Sequence, residues 1–195
     1  MSIVYDDMNA TVRRSRIDGE IIAPPSKSYT HRAITIAALA KQSEILYPLL
    51  SGDTEATINA ARCLGAAVAI EETGKVQKIK VDGCEGIPAT PDDVINAENS
   101  GTTLRFFTAV SALCEGAVVL TGDASLRKRP NVPLLNALND LGAEAFSTKS
   151  DGTAPLVVKG RLAGGETTME ASMSCLLYTS PSPRDRTRSR MPSSA

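Results

Sequence analysis

One short stretch holds three residues with the types and spacing to bind an anion. In Pro24-Pro25-Ser26-Lys27-Ser28-Tyr29-Thr30-His31-Arg32, two prolines keep the backbone extended and Ser26 stands where a helix N-cap belongs. A helix opening there carries Lys27, Ser28 and Arg32 near its N-terminus, and Ser28 and Arg32, four residues apart, share a face. Free backbone N–H groups, the positive helix end, an ammonium, a hydroxyl and a guanidinium then converge on one spot. That set suits a phosphate or a carboxylate. Taken alone, Lys and Arg in a first helical turn are ordinary solvated surface. A nucleotide P-loop is excluded, because prolines stand where its glycines belong.

Other chemistry is bounded by counts. His31 is the only histidine, so a multi-histidine metal site is excluded, and a Ser-His-Asp or Cys-His site would have to use it. The four cysteines (Cys63, Cys84, Cys114, Cys175) form no C-x-x-C pair and fit no zinc spacing. Cys63 and Cys114 fall on apolar helical faces and are expected to be buried free thiols. The chain has 195 residues, 42% hydrophobic and 22% charged, which is a globular composition. A net charge of −1 and 4% aromatics without Trp argue against a nucleic-acid-coating protein. No stretch reads as a signal peptide, and no apolar run has the length a bilayer needs. A reduced cytoplasm is the expected location, with no membrane partner.

The elements that must position the anion groups follow from local signals. Residues 1–9 read as a loose leader, with Thr11–Arg16 and Gly19–Ala23 as short extended pieces. Residues 33–40 are apolar nearly all round and predict a buried helix. Ile45–Leu50 is a strand candidate broken by Pro48. Asp53 is placed to cap a helix running through Leu64, with Gly65 as its stop. Ala66–Ile70 and Val76–Val81 form a hairpin, and Gly83 to Asp93 a loop. The order then recurs. Ser100-Gly101-Thr102 opens a helix to about Glu115, Ala117–Thr121 is a strand, Asn131 to Leu141 a helix stopped by Gly142, and Ala143–Thr148 and Pro155–Lys159 are strands.

The recurrence has a period. Leu64-Gly65-Ala66 returns as Leu141-Gly142-Ala143 and Gly83 as Gly160, each 77 residues on. Ser-Gly-Asp at 51–53 is echoed by Thr-Gly-Asp at 121–123, and Arg32 by Arg105, 73 residues on. Several matches in order indicate a duplicated α/β unit. The helix starts at Ser26 and Ser100 are 74 apart, which places a third start near residue 174, where the chain reads Ser172-Met173-Ser174. Asp53 and Asp123, at matching places, are expected to be helix caps.

The pattern then stops. Residues 175–195 are rich in Pro, Ser and Arg, and hold four Arg and one Asp, so the rest carries 17 basic against 21 acidic side chains. A disordered basic tail would have this composition. Because the break falls inside the third helix start, the expectation is instead that the reading leaves the native product near Cys175. RNA binding through this tail rests on composition alone.

With Pro-Pro-Ser-Lys-Ser-Tyr-Thr-His-Arg, Asn-Ser-Gly-Thr-Thr-Leu-Arg and Leu-Thr-Gly-Asp…Lys-Arg-Pro in order, residues 10–174 resemble 5-enolpyruvylshikimate-3-phosphate (EPSP) synthases. The sister family, UDP-N-acetylglucosamine enolpyruvyl transferase, has Lys-Asn where this chain has Lys27-Ser28. A non-catalytic anion-binding repeat module is the alternative of another class. The resemblance implies an α/β fold of repeated βαβαββ units, here with the third truncated. It implies a leader and strands over 1–24 that pack with a further domain, units at 25–98 and 99–165, a third start at 166–174 and a non-native or disordered tail at 175–195. It also implies transfer of the enolpyruvyl group of phosphoenolpyruvate to the 5-hydroxyl of shikimate 3-phosphate, with no cofactor or metal, in a monomeric enzyme of chorismate biosynthesis.

The same resemblance implies roles. Lys27 touches both substrates and is the catalytic candidate. Ser28 and Arg32 bind shikimate 3-phosphate, Gly101 leaves room beside phosphoenolpyruvate, where the inhibitor glyphosate also fits, and Arg129 clamps phosphoenolpyruvate. Ser174 opens a Ser-Ser-Gln trio for shikimate 3-phosphate that Cys175 and Leu176 break here. The family's acid–base carboxylates lie in a second domain, so this chain is expected to be inactive alone. Without the third unit, the helices at 33–40 and 103–114 are expected to expose an apolar patch and lower solubility.

Overall fold

The computed structural model describes residues 3–6, 9–12, 18–73 and 76–169. Ser174 and the break at Cys175 lie outside the described residues. Two sheets carry four helices. The first is β3 (Gln42–Leu46), β5 (Val76–Asp82) and β4 (Ala67–Thr73), in the order β3-β5-β4, all antiparallel. The second is β6 (Ile95–Asn96), β7 (Ala117–Thr121), β9 (Leu156–Lys159) and β8 (Glu144–Ser147), in the order β6-β7-β9-β8. Strands β7-β9-β8 repeat the topology of β3-β5-β4, and β6 adds a parallel partner to β7. With α3 (Gly101–Ser111) and α4 (Val132–Asp140), the second sheet completes βαβαββ, whereas α1 (Lys27–Leu39) and α2 (Gly52–Cys63) serve the first.

The duplication extends to tertiary contacts. Gly65 and Gly142 both have φ +97 and both follow a C-cap leucine. After them, Ala89 N–H donates to Leu64 O at 3.0 Å and Ala163 N–H to Leu141 O at 2.8 Å, the donors 74 and the acceptors 77 residues apart. The left-handed glycine satisfies the last helical carbonyls and turns the chain into the next strand.

One core joins the two units. Ile79 and Val81 of the first sheet, Val118, Leu120, Leu156 and Val158 of the second, and Ile34, Ile58, Leu104 and Phe107 of the helices are buried in it. Burying each of these side chains contributes roughly 1.5–3 kcal/mol.

Several expectations need correction. The leader is not loose throughout: β1 (Ile3–Asp6) pairs antiparallel with β2 (Asn9–Val12). Ile3-Val4-Tyr5 has the β-branched and aromatic composition of a strand. Gly19–Ala23 forms no strand, and Ile21 and Ile22 are exposed. The third strand runs from Gln42, ahead of the expected Ile45, to Leu46, and stops where Tyr47 takes a left-handed φ of 53 just before Pro48, which has no N–H for a ladder. α3 ends at Ser111 rather than near Glu115.

α1 is not buried all round. Its buried stripe is Thr30, His31, Ile34, Ala37 and Ala38, while Ile36 is 59% exposed. Ile36 lines an apolar groove with Arg32, Thr35, Phe106 and Ala109. This is an exposed apolar patch of the kind expected for α1 and α3. Cys63 is exposed at the last residue of α2, and Cys114 is buried. Burial, with the nearby Cys84 thiol, pushes the Cys114 thiol up to about 11.

Candidate functional site

The α1 start is built by local rules. Ser26, extended at φ −81 and ψ 120, accepts a hydrogen bond from Tyr29 N–H, and its carbonyl accepts from Thr30 N–H at 3.0 Å. Lys27 and Ser28 then occupy the first turn, both exposed to solvent. Arg32 folds back along its own helix and donates to Ser28 O at 3.2 Å. The backbone of Ser28 and the guanidinium of Arg32 thus share one face.

The α3 start is the second half. Ser100 caps it, accepting from Thr103 N–H at 3.2 Å, and Gly101 is the first helical residue. A Cβ on Gly101 would stand 2.9 Å from Arg129 Nη1 and 3.5 Å from Arg105 Nη1. The missing side chain therefore lets two guanidinium groups close over a helix N-terminus. Arg129 follows a short 3-10 turn (Leu126–Lys128) and donates to Asn99 Oδ1 at 3.5 Å, while Arg105 donates to Pro130 O at 3.4 Å. Asn99 in turn donates to Asp123 Oδ2 at 2.6 Å.

Two aspartates hold these starts in place. Asp53 is not the α2 cap; that place belongs to Ser51, whose N–H donates to Thr54 Oγ1 at 2.9 Å. From the first turn of α2, Asp53 Oδ2 accepts from Lys27 Nζ at 2.6 Å. Asp123 is not the N-cap of the 3-10 turn either, that place being Ser125, but from two residues earlier its carboxylate accepts from Leu126 N–H at 2.7 Å and braces the start of the turn. That bond, then the one from Asn99, holds its carboxyl below the usual carboxylate range, with Arg129 adding a smaller pull.

Asp53 also joins the two units. Its carbonyl lies 3.2 Å from Thr57 Oγ1 and 3.4 Å from Thr103 Oγ1, so α1, α2 and α3 meet around one residue. Two of the three expected helix starts are thereby brought together, and the third, at Ser174, is outside the described residues. Superposing the caps Ser26 and Ser100 corrects one match. Arg105 is level with His31, and Arg32 is level with Phe106. His31 is 1% exposed and packs its Nδ1 against Thr57 Oγ1 at 2.6 Å. Burial pushes its imidazole below the ordinary value; Asp53 opposes this, and Lys27 and Arg32 add to it. It lies in the interior, within electrostatic reach of Lys27 and Arg32 but not exposed beside them.

Asp53, Asn99, Thr57 and Thr103 were not singled out for this site by their sequence. The Ser/Thr-Gly-Asp echo marked both aspartates, but a carboxylate in a first helical turn reads equally as a cap or as a partner for a distant cation.

Against this geometry, the profile of EPSP synthase (3-phosphoshikimate 1-carboxyvinyltransferase) matches residues 12–180. The chain belongs to the EPSP synthase family. Proteins named 3-phosphoshikimate 1-carboxyvinyltransferase from Methanosarcina mazei and Methanococcoides burtonii are each 56% identical over 167 residues, covering 86% of this chain and 38% of the relative. A third, from Acetivibrio thermocellus, is 47% identical over 87% of this chain and 40% of its own length. The solved EPSP synthase of Acinetobacter baumannii superposes with a TM-score of 0.70 at 28% identity, covering 80% of this chain and 35% of that one. The chain thus spans about two fifths of the length of the family members it matches. The α/β fold with its duplicated unit is that of EPSP synthases. Among the described residues, no helix is long and apolar enough to cross a membrane.

Proposed function

We propose that this chain supplies one wall of the active site of an enzyme that joins the enolpyruvyl group of phosphoenolpyruvate to the 5-hydroxyl of shikimate 3-phosphate. The hydroxyl oxygen gives up its proton and bonds to the enol carbon while a proton adds to the methylene carbon. The tetrahedral intermediate then loses a proton from that new methyl group as its C–O bond to phosphate breaks, which restores the double bond and releases phosphate. The observation that carries this reading is Gly101: a side-chain-free helix start under the guanidinium of Arg129. The family membership names the anions that such a start would take.

In this reading Arg129 and the α3 start hold phosphoenolpyruvate. Ser28, Arg32 and Ser174 hold shikimate 3-phosphate, and Lys27 reaches both. A hydrogen bond to a charged group is worth about 1.5–3 kcal/mol, so a few such contacts supply micromolar binding. Arginine does not deprotonate, so it serves as an electrostatic clamp. Lys27 places positive charge against the transferring group and is the side chain among these that can exchange a proton. The hydroxyl also needs a base, and the Asp53 carboxylate in this wall is engaged by Lys27. The chain by itself is therefore expected to bind without turnover. The reading carries with it a monomeric, cytoplasmic, cofactor-free enzyme of the route to chorismate. It divides this chain into units at 25–98 and 99–165, with a third beginning at 166–174.

Isothermal titration of the 195-residue chain tests this. Saturable binding of shikimate 3-phosphate, with glucose 6-phosphate much weaker, is the expected result. Equal affinity for both would favour a general anion-binding module. Phosphate release from the two substrates by this chain would overturn the expectation of no turnover.

A further inference from the structure

A buried polar chain runs between the two helix starts. His31 Nδ1 is 2.6 Å from Thr57 Oγ1, Thr57 Oγ1 is 2.7 Å from Thr103 Oγ1, and Thr103 Oγ1 donates to Ser100 Oγ at 2.6 Å. None of the four residues is more than 2% exposed. Each hydroxyl has one proton to give. Both threonine hydroxyls also face the Asp53 carbonyl, at 3.2 Å and 3.4 Å, but each has a shorter acceptor: Thr103 gives its proton to Ser100 at 2.6 Å, Thr57 gives its proton to Thr103 at 2.7 Å, and Thr57 accepts from the Nδ1–H of His31. The chain then has one direction and selects one imidazole tautomer.

Its ends are what matter. His31 lies one turn along α1 from Lys27, and Ser100 caps α3 immediately before Gly101. Thr57, in the middle, lies on α2 beside the carbonyl of Asp53, whose carboxylate holds Lys27. A satisfied buried network fixes the relative placement of its elements more tightly than apolar packing, which tolerates sliding. An apolar residue at 57 or 103 would fill the same space without setting a distance.

We propose that His31 is a positioning residue for the anion site, fixing through Thr57 and Thr103 the separation between the α1 start, with Lys27 and Ser28, and the α3 start, with Gly101. This rests on the reading that both starts hold the substrates of one reaction. Thr103 belongs to the same device, because it is the link between the units.

Nuclear magnetic resonance on the 15N-labelled chain tests it, since the sole histidine gives one unambiguous pair of ring-nitrogen signals. Thr103→Val, two links from the ring, is expected to shift those signals and the amides of Ser28 and Gly101. It is expected to weaken shikimate 3-phosphate binding on the order of fivefold to tenfold. Thr103→Ser should restore both. Leu138→Ala, in the core on α4, should lower stability and move neither. Ring signals unmoved by Thr103→Val, or an equal loss of affinity in Leu138→Ala, would overturn the proposal. If the unaltered chain binds no shikimate 3-phosphate, the substrate reading fails. The ring and amide responses then decide the positioning role alone, upholding it if they move and overturning it if they do not. Should Thr103→Val not fold, Ser100→Ala cuts the far end of the chain and is read the same way.

Discussion

Lys27 Nζ lies 2.6 Å from Asp53 Oδ2, so the ammonium at the start of α1 is tethered to the first turn of α2. The two side chains are 52% and 33% exposed. A pair this open contributes at most about 1 kcal/mol to stability, whereas a charged contact to a bound anion is worth about 1.5–3 kcal/mol. Lys27→Ala should therefore weaken shikimate 3-phosphate binding about tenfold to a hundredfold while barely moving the urea midpoint. Asp53→Asn frees the ammonium without removing it and should weaken binding less. Calorimetry and urea titration on the two variants check this. A large loss of stability in Lys27→Ala with intact binding would show that the lysine is structural.

Gly101 predicts a different split. Alanine suits a helix better than glycine by about 1 kcal/mol, and the φ of Gly101 is not positive. The atom that a Cβ would meet is the far end of the Arg129 side chain, which can swing aside. Gly101→Ala should then keep or slightly raise the melting temperature while displacing the guanidinium from the α3 start. Phosphoenolpyruvate binding, measured in the presence of shikimate 3-phosphate, should fall at least tenfold, with shikimate 3-phosphate affinity much less affected. Equal losses for both ligands would contradict the assignment of Arg129 to phosphoenolpyruvate.

His31 makes stability depend on pH near neutrality. In the unfolded chain its imidazole takes up a proton around 6.5; in the folded chain burial, the largest cause, delays that to lower pH. Asp53 opposes the shift, and Lys27 and Arg32 reinforce it. Between the two values the unfolded state binds more protons, so the full contribution is present above 6.5 and is lost as pH falls toward the folded pKa. The loss is at most about 1.4 kcal/mol per pH unit. Urea midpoints should drop between about pH 7.5 and about pH 5.5. His31→Gln, if it folds, should flatten that slope. A midpoint that rises over this range would refute the account.

What the sequence made legible divides along a physical line. Ser26, Ser100, Gly65 and Gly142 act within a few residues of themselves, so caps and stops could be read directly and landed within a residue or two. The duplicated strand order followed from matching those signals 74 and 77 residues apart. Lys27, Ser28, Arg32, Gly101 and Arg129 stood out by type and motif, and Gly101 and Arg129 do meet. Asp53 was read as a cap because nothing local to it reveals a lysine 26 residues away. Thr57 and Thr103 look like ordinary helical threonines until α2 and α3 are packed together. The Arg32–Arg105 match failed by one residue because side-chain identity, rather than the caps, set the register. Strand β6 was missed because two residues carry no periodicity.

Gly83 and Gly160 look equivalent, 77 residues apart after matching strands, yet the fold requires them for different reasons. A Cβ on Gly83 would collide with the carbonyl oxygens of Ala37, Ala38 and Ala40 at the end of α1. Those are backbone atoms that cannot move aside, because Gly83 N–H donates to Lys41 O at 3.0 Å and Cys84 N–H to Ala38 O at 2.8 Å. Gly160 has open space but a φ of +78. An alanine there meets only the left-handed backbone strain, about 1–2 kcal/mol. Overpacking against fixed backbone costs more, about 3 kcal/mol or beyond, since α1 must shift. Gly83→Ala should therefore destabilise the chain more than Gly160→Ala in urea unfolding. Because the displaced element is α1, Gly83→Ala should also weaken shikimate 3-phosphate binding, while Gly160→Ala should leave it intact. If the two substitutions cost the same and neither touches binding, the close approach of the loop to α1 does not help hold the Lys27 helix in place.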